Sequence, residues 1–415
     1  MREFFSNKDL PLWLTVLVTF FIPISATAST IFAFFLILYW LLKGRLIDKW
    51  NALKHRTLFW AWMFYILLYP LSILWSNHWE WASFLIKRHL YFILVPVLLT
   101  LADKYWPKPV VWGYALGFTV SEIHSYLIWF HLLPGNAIDP VPTNFAGHFL
   151  YNPLLAFAIF VLSYEFLYSR ERWMIKLLSL FFVVTMTVNM FITGGRGGQI
   201  VYFVLMSYLF YHYLIKKIGF RYAALGSVLA VSSIFFLAYH TSNLFHDRVN
   251  LAVNNFYHYQ VGSGSSMGMR LNYYYFTVKM GLENKQRLIY GYGLGEYPDA
   301  MHQFAKERGV ELPMRSDRQH HFEPHSQYFY ELGAFGLIGL ISLLWLIILH
   351  YVEASKLSGV YRDYAIAFAL FLTTILISDA LFIYFEAIFA VAVLSGVLFS
   401  NRIMSIGSRG NRLEN

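Results

Sequence analysis

Residues 177–217 read LLSLFFVVTMTVNMFITGGRGGQIVYFVLMSYLFYHYLIKK. Two apolar runs, 177–193 and 200–215, flank Thr193-Gly194-Gly195-Arg196-Gly197-Gly198-Gln199, and Arg196 is the only charge before Lys216 and Lys217. A hydrocarbon layer about 30 Å thick takes roughly 20 apolar helical residues. The stretch therefore reads as a membrane helix, a tight turn and a second membrane helix. Working outward, the same signal recurs at 11–25, 26–42, 57–75, 82–101, 109–133, 151–168, 222–239, 332–351, 364–379 and 381–399, which makes twelve candidate helices. Pro23 and the small Ser25-Ala26-Thr27-Ala28-Ser29 stretch break the first pair, and the last pair parts near Asp379. Arg2, Lys8 and Ala26-Thr27-Ala28 also have the look of a secretory signal with a cleavage site. Cleavage there would leave a new N-terminus directly on another apolar run, which argues against it.

Composition agrees with that reading. The 415 residues are 58% hydrophobic and 20% aromatic but only 13% charged, about half the charged share of soluble domains. An ordinary soluble enzyme and a disordered chain are both excluded. The absence of cysteine rules out disulfides, thiolate metal sites, iron–sulfur clusters and cysteine nucleophiles. A net charge of +9 would suit nucleic acid, but the cations fall in every second loop. Lys43, Arg45, Lys49, Lys54 and Arg56 are followed by Lys104 and Lys108, then Arg170, Arg172 and Lys176, then Lys216, Lys217 and Arg221. Lys356, Arg362 and the tail residues Arg402, Arg409 and Arg412 continue the alternation, whereas loops 76–81 and 134–150 hold no Lys or Arg. Lys and Arg gather on the cytoplasmic side. Both termini are thus expected in the cytoplasm and the long segment 240–331 outside. The basic balance reflects topology and contact with anionic membrane lipids, with no nucleic-acid partner. Three regions follow: 1–239 with nine helices, 240–331 as an outward loop with short helices, and 332–415 with three helices and a cytoplasmic tail.

Some charges are not explained by topology. Arg196 stands among four glycines at the start of a helix, where exposed N–H groups and the positive helix end favour an anion. A snorkelling arginine on a glycine-rich turn is the plainer alternative. Lys87 and Arg88 lie about one and a half turns inside an apolar run, a costly depth unless they face a cavity, an anion or the headgroups. Glu122, His124, Asp379 and Glu386 also interrupt apolar runs. Buried helix–helix hydrogen bonds account for them, which leaves them outside the expected site.

Within 240–331, Arg270 opens a helix-like stretch after Gly262-Ser263-Gly264-Ser265-Ser266. Gly291-Tyr292-Gly293-Leu294-Gly295 is a glycine turn without the strand–turn–helix context of a dinucleotide site. His320-His321-Phe322-Glu323-Pro324-His325-Ser326-Gln327 leads into Leu332-Gly333-Ala334-Phe335-Gly336. The histidine spacing is not that of a helical metal pair, and Pro324 interrupts any helix that would align one. A single histidine at the membrane entry, His325, is instead placed to act as a base near pH 7. No GxSxG elbow or Ser–His–Asp set points to a serine nucleophile.

The order of these pieces, a Gly-Gly-Arg-Gly-Gly turn, an outward loop with an arginine, GxGxG, then His-Ser before ELGxxGxxG, resembles the bacterial O-antigen ligase family. That family shares a C-terminal signature with O-antigen polymerases and protein O-oligosaccharyltransferases. The resemblance implies an all-α polytopic membrane protein of about twelve transmembrane helices with one long periplasmic loop, a glycosyltransferase of the C type. It implies transfer of a glycan from undecaprenyl diphosphate to lipid A-core on the periplasmic face of the bacterial inner membrane, in lipopolysaccharide biosynthesis. It further implies inversion at the anomeric carbon and no metal, nucleotide sugar or other cofactor. Arg196 and Arg270 fall on the family's two arginines and His325 on its histidine, while Ser326 stands where asparagine often follows. Lys87 and Arg88 join Arg196 and Arg270 as expected diphosphate contacts. A polymerase or protein transferase remains as an alternative within the enzyme class. Outside it, a transporter of lipid-linked glycan would use the same cations without chemistry.

Overall fold

The computed structural model describes residues 9–76, 79–135, 147–169, 172–312 and 324–400. The described residues form helices and no strand. In chain order these are α1 (Leu10–Phe21), α2 (Ala26–Leu42), α3 (Leu46–Leu53), α4 (Thr57–Leu71), α5 (Trp79–His89), α6 (Leu94–Leu101), α7 (Pro107–Trp129), α8 (His148–Tyr168) and α9 (Trp173–Thr193). They continue as α10 (Arg196–Ile218), α11 (Phe220–Thr241), α12 (Asn243–Tyr257), α13 (Ser266–Glu283), α14 (Lys285–Tyr290), α15 (Tyr297–Lys306), α16 (Gln327–Ser355), α17 (Gly359–Ser378) and α18 (Phe385–Leu398).

Each apolar run lies on a helix, but not every helix is long and apolar enough to cross a bilayer. Eight pass on length and composition: Thr57–Trp75, Trp79–Leu101, α8, α9, α10, α11, α16 and α17. A ninth arises if α2 and α3, bent by 106° at their junction, count as one span. The helices α1 and α18 have 12 and 14 residues, about 18 and 21 Å at 1.5 Å per residue, short of the hydrocarbon thickness. The Ser25 stretch does part the first pair, since the Ser25 hydroxyl accepts from Ala28 N at 3.2 Å and caps α2.

Burial sorts the bundle into a centre and a lipid-facing rim. The apolar window of α8 is 89% buried and that of α11 only 17%. Two short helices are also central. α18 buries its side chains from Ala387 to Leu398, and it packs on α6.

Between α12 and α16 the described residues form α13, α14 and α15, of 18, 6 and 10 residues, and backbone hydrogen bonds help to seat them on the bundle. Tyr292 N donates to Gly333 O at 2.9 Å and Gly293 N to Ala334 O at 2.8 Å. The GxGxG turn and the start of the ELGxxGxxG helix are thus two halves of one joint. Gly336, at φ 66, interrupts α16 there, and a Cβ on it would lie 2.4 Å from the carbonyl carbon of Ile289. Only glycine fits that approach. Below the joint, the buried Glu331 Oε1 accepts from Tyr65, Tyr69 and Gln327 at 2.5, 2.8 and 2.7 Å. Gln327 Oε1 accepts from Phe382 N at 3.0 Å. The same network ties the start of α16 to the short 3-10 turn Leu381–Ile383 between α17 and α18.

Candidate active site

The turn around Arg196 is wedged between α8 and the end of α17. Gly194 is left-handed at φ 74 and closes α9; Gly195 precedes α10 with no side-chain cap on the first N–H groups. Thr193 donates to Asn152 Oδ1 at 2.7 Å. A Cβ on Gly198 would fall 2.4 Å from Asn152, and one on Gly197 would fall 2.3 Å from Asp379 Oδ2. The glycines are therefore demanded by close packing as well as by the turn.

Arg196 is half-buried. Among the described residues its side chain has no hydrogen-bond or ion-pair partner, and its charged neighbours are two more cations, Arg248 and Arg270. Arg248, on α12, donates to Gly194 O. Burying cations side by side is costly without an anion. Together with the uncapped start of α10, the arrangement has the electrostatic character that suits one.

Arg270 lies in the second turn of α13, whose start is capped by Ser265 accepting from Gly268 N at 3.0 Å. Its Nη1 donates to Ser378 O at 3.1 Å and its Nη2 stands 3.5 Å from Asp379 Oδ1. His325 Nδ1 stands 3.8 Å from that same oxygen. Tyr274, one turn beyond Arg270, donates to His325 O at 2.8 Å and stacks on Phe329 at 4.2 Å. His325 itself is left-handed at φ 53, a conformation uncommon for a non-glycine residue. Ser326 is buried and donates to Leu376 O at 3.3 Å, so the hydroxyl at this position fastens α16 to α17.

The structure therefore brings Arg196, Arg270 and His325 to one place, with Arg248, Tyr274 and Asp379. Sequence reasoning set Asp379 aside as a helix–helix contact. The correction is that its carboxylate, only 3% exposed, meets both Arg270 and His325. Its one signal was an acid interrupting apolar runs, here the last pair. Glu122 and Glu386 show the same signal in sequence and are not among the residues that meet Arg270 and His325.

Lys87 and Arg88 are not in this cluster. Lys87 is exposed on the last turn of α5. Arg88 donates to Ile383 O, lies 4.0 Å over the Phe84 ring and has Glu386 as its charged neighbour. It lines a cavity of about 700 Å³ with Thr27, Ile31, Phe149, Leu150 and Tyr384. Asp379 meets His325, and Tyr384, five residues further on, lines this cavity. His320, His321 and Glu323 lie outside the described residues.

No curated protein matches the chain. Residues 181–344 match the family model described as O-antigen ligase. That span holds Arg196, Arg248, Arg270, His325 and the Gly336 joint, whereas Asp379 reaches the cluster from beyond it. Sequence order, the convergence of these side chains and the family match agree: over residues 181–344 this helical chain is similar to the O-antigen ligase family, whose members are glycosyltransferase-like enzymes that act on lipid-linked glycans.

Proposed function

We propose that this protein is an O-antigen ligase of the bacterial inner membrane. In this reading it carries a glycan from undecaprenyl diphosphate to lipid A-core on the periplasmic face. The observation that supports it most is Arg196, a half-buried cation with no hydrogen-bond or ion-pair partner among the described residues, beside Arg248 and Arg270, the latter sharing Asp379 with His325. The chemistry follows from those groups. The acceptor hydroxyl oxygen attacks the anomeric carbon and its proton passes to Nε2 of His325. The bond from that carbon to the diphosphate oxygen breaks, and the electron pair leaves with the diphosphate. Arg196 and Arg270 stabilise the charge that develops there. One displacement inverts the anomeric centre and requires neither metal nor nucleotide sugar. Lys87 and Arg88, outside this cluster, are proposed as further donor contacts, Arg88 from the cavity that it lines with Phe149 and Tyr384. Both substrates are lipid-anchored, so the membrane already holds them in one plane and the protein has only to orient them.

A deletion strain tests this reading against its rivals. Loss of a ligase leaves core-only lipopolysaccharide and long polymer on undecaprenyl diphosphate. Core bearing a single repeat would make the protein a polymerase instead, and unchanged banding would overturn both.

The proposed orientation has both termini in the cytoplasm and residues 240–331 in the periplasm, from the alternation of Lys and Arg. The chain has no cysteine, so single cysteines can be placed at Ser265 and at Ser408, the latter in the tail outside the described residues. In intact cells an impermeant thiol reagent is expected to label position 265 and not 408. The opposite pattern reverses the orientation.

A further inference from the structure

We propose that Asp379 is a positioning residue that is shared between the two halves of this site and changes hands during the reaction. The inference rests on the reading of Arg270 as a phosphate ligand and His325 as the base. Asp379 Oδ1 stands 3.5 Å from Arg270 Nη2 and 3.8 Å from His325 Nδ1. Both separations exceed the 2.7–2.9 Å or so of a closed charge-assisted hydrogen bond. The carboxylate is therefore divided between two partners and committed to neither. It is nearly fully buried, and Oδ2 accepts from Ser378 Oγ at 3.1 Å.

A buried anion must keep a cation near it. An incoming diphosphate competes for Arg270, and the group left to compensate Asp379 is His325. His325 supplies that cation by taking the acceptor's proton on Nε2, and it later releases the proton to solvent. Because Nδ1 is the nitrogen turned toward the carboxylate, Nε2 is the one left for the acceptor. Asp379 thus supports proton removal most strongly once the donor's phosphates have engaged Arg270. The order couples deprotonation of the acceptor to presence of the donor. Gly197 makes room for this, since a Cβ there would come within 2.3 Å of Oδ2 and 2.8 Å of Ser378 Oγ.

The sign of the effect on donor binding separates this role from a structural one. Transfer is measured on the full-length protein in membranes, per folded molecule, with the undecaprenyl-diphosphate-linked glycan extracted from a deletion strain as donor. Asp379→Asn is expected to lower kcat about 10²-fold, the lower end of what a positioned base supplies. The donor KM should stay level or fall, because Arg270 loses a competing anion. Asp379→Glu should recover part of kcat. Gly197→Ala keeps the carboxylate but displaces it, and it should reproduce the same split if Asp379→Asn folds poorly. A wild-type kcat in both Asp379→Asn and Gly197→Ala, or a raised KM with no rescue by Glu, overturns the proposal. If His325→Ala is inactive while Asp379→Asn is fully active, only the role of Asp379 fails. If His325→Ala itself transfers normally, the underlying reading of the base fails first.

Discussion

Replacing His325 by alanine is expected to reduce transfer by roughly 10²–10⁴-fold, the contribution of a positioned general base, while donor binding survives. The two observables divide because the proposed phosphate ligands, Arg196 and Arg270, sit on α10 and α13, whereas His325 sits at the entry of α16. The histidine is also a structural element. Its carbonyl takes the Tyr274 hydroxyl and its backbone is left-handed. Alanine keeps the carbonyl but fits that backbone less well, so activity has to be measured per folded molecule. His325→Asn, which tolerates the left-handed region, is the control: it should fold as the native protein does and still fail to transfer. A purely structural histidine would instead lose activity in proportion to protein level. His320→Ala and His321→Ala are expected to be milder. Adding a chelator to the same assay tests the metal alternative. Activity lost to chelation and restored by a divalent ion would replace the base with a metal site.

The second large effect is expected at the arginines. Arg196→Ala and Arg270→Ala should each lose about 2–4 kcal/mol of transition-state stabilisation, or roughly 30- to 1000-fold in rate. Lysine should be a poor substitute at both positions, since a point charge does not reproduce the guanidinium fork. The structure separates the two in a way their motifs do not. Arg196 has no protein partner among the described residues, so Arg196→Ala should cost activity and donor affinity without loss of folding stability; removing one of three neighbouring cations should even relieve repulsion. Arg270 also holds Ser378 O and Asp379. Arg270→Ala therefore leaves a buried carboxylate with less compensation and should lower thermal stability as well. Wild-type transfer by both alanine variants at normal membrane levels would mean that the diphosphate binds elsewhere. Equal stability losses in the two would contradict the difference in their surroundings.

The apolar runs, the glycine-flanked Arg196 and the arrangement of Arg270 and His325 around a long segment were legible in the sequence because they are local. Helix length is set by consecutive apolar residues, the turn by consecutive glycines, and the side of the membrane by charges in adjacent loops. The family resemblance rested on the same local motifs, and the match over residues 181–344 agrees with it. Only the tertiary structure decided which charges meet. Asp379 and Glu386 look alike in sequence, each an acid interrupting the last apolar pair. Segment 379–384 turns the first toward Arg270 and His325 and the second toward Arg88 and the cavity. Arg88 and Arg196 likewise read as equal candidates and end with different neighbours, Arg88 beside Ile383 O and Glu386, Arg196 beside Arg248 and Arg270. Burial also decided the standing of the short helices. α18 is too short to span and is nearly all interior, a property of its neighbours and not of its own composition. A helix records in its sequence how apolar it is. Whether that surface meets lipid or protein, and which distant carboxylate a cation faces, depends on contacts between residues far apart in the chain, and these exist only once the bundle has closed.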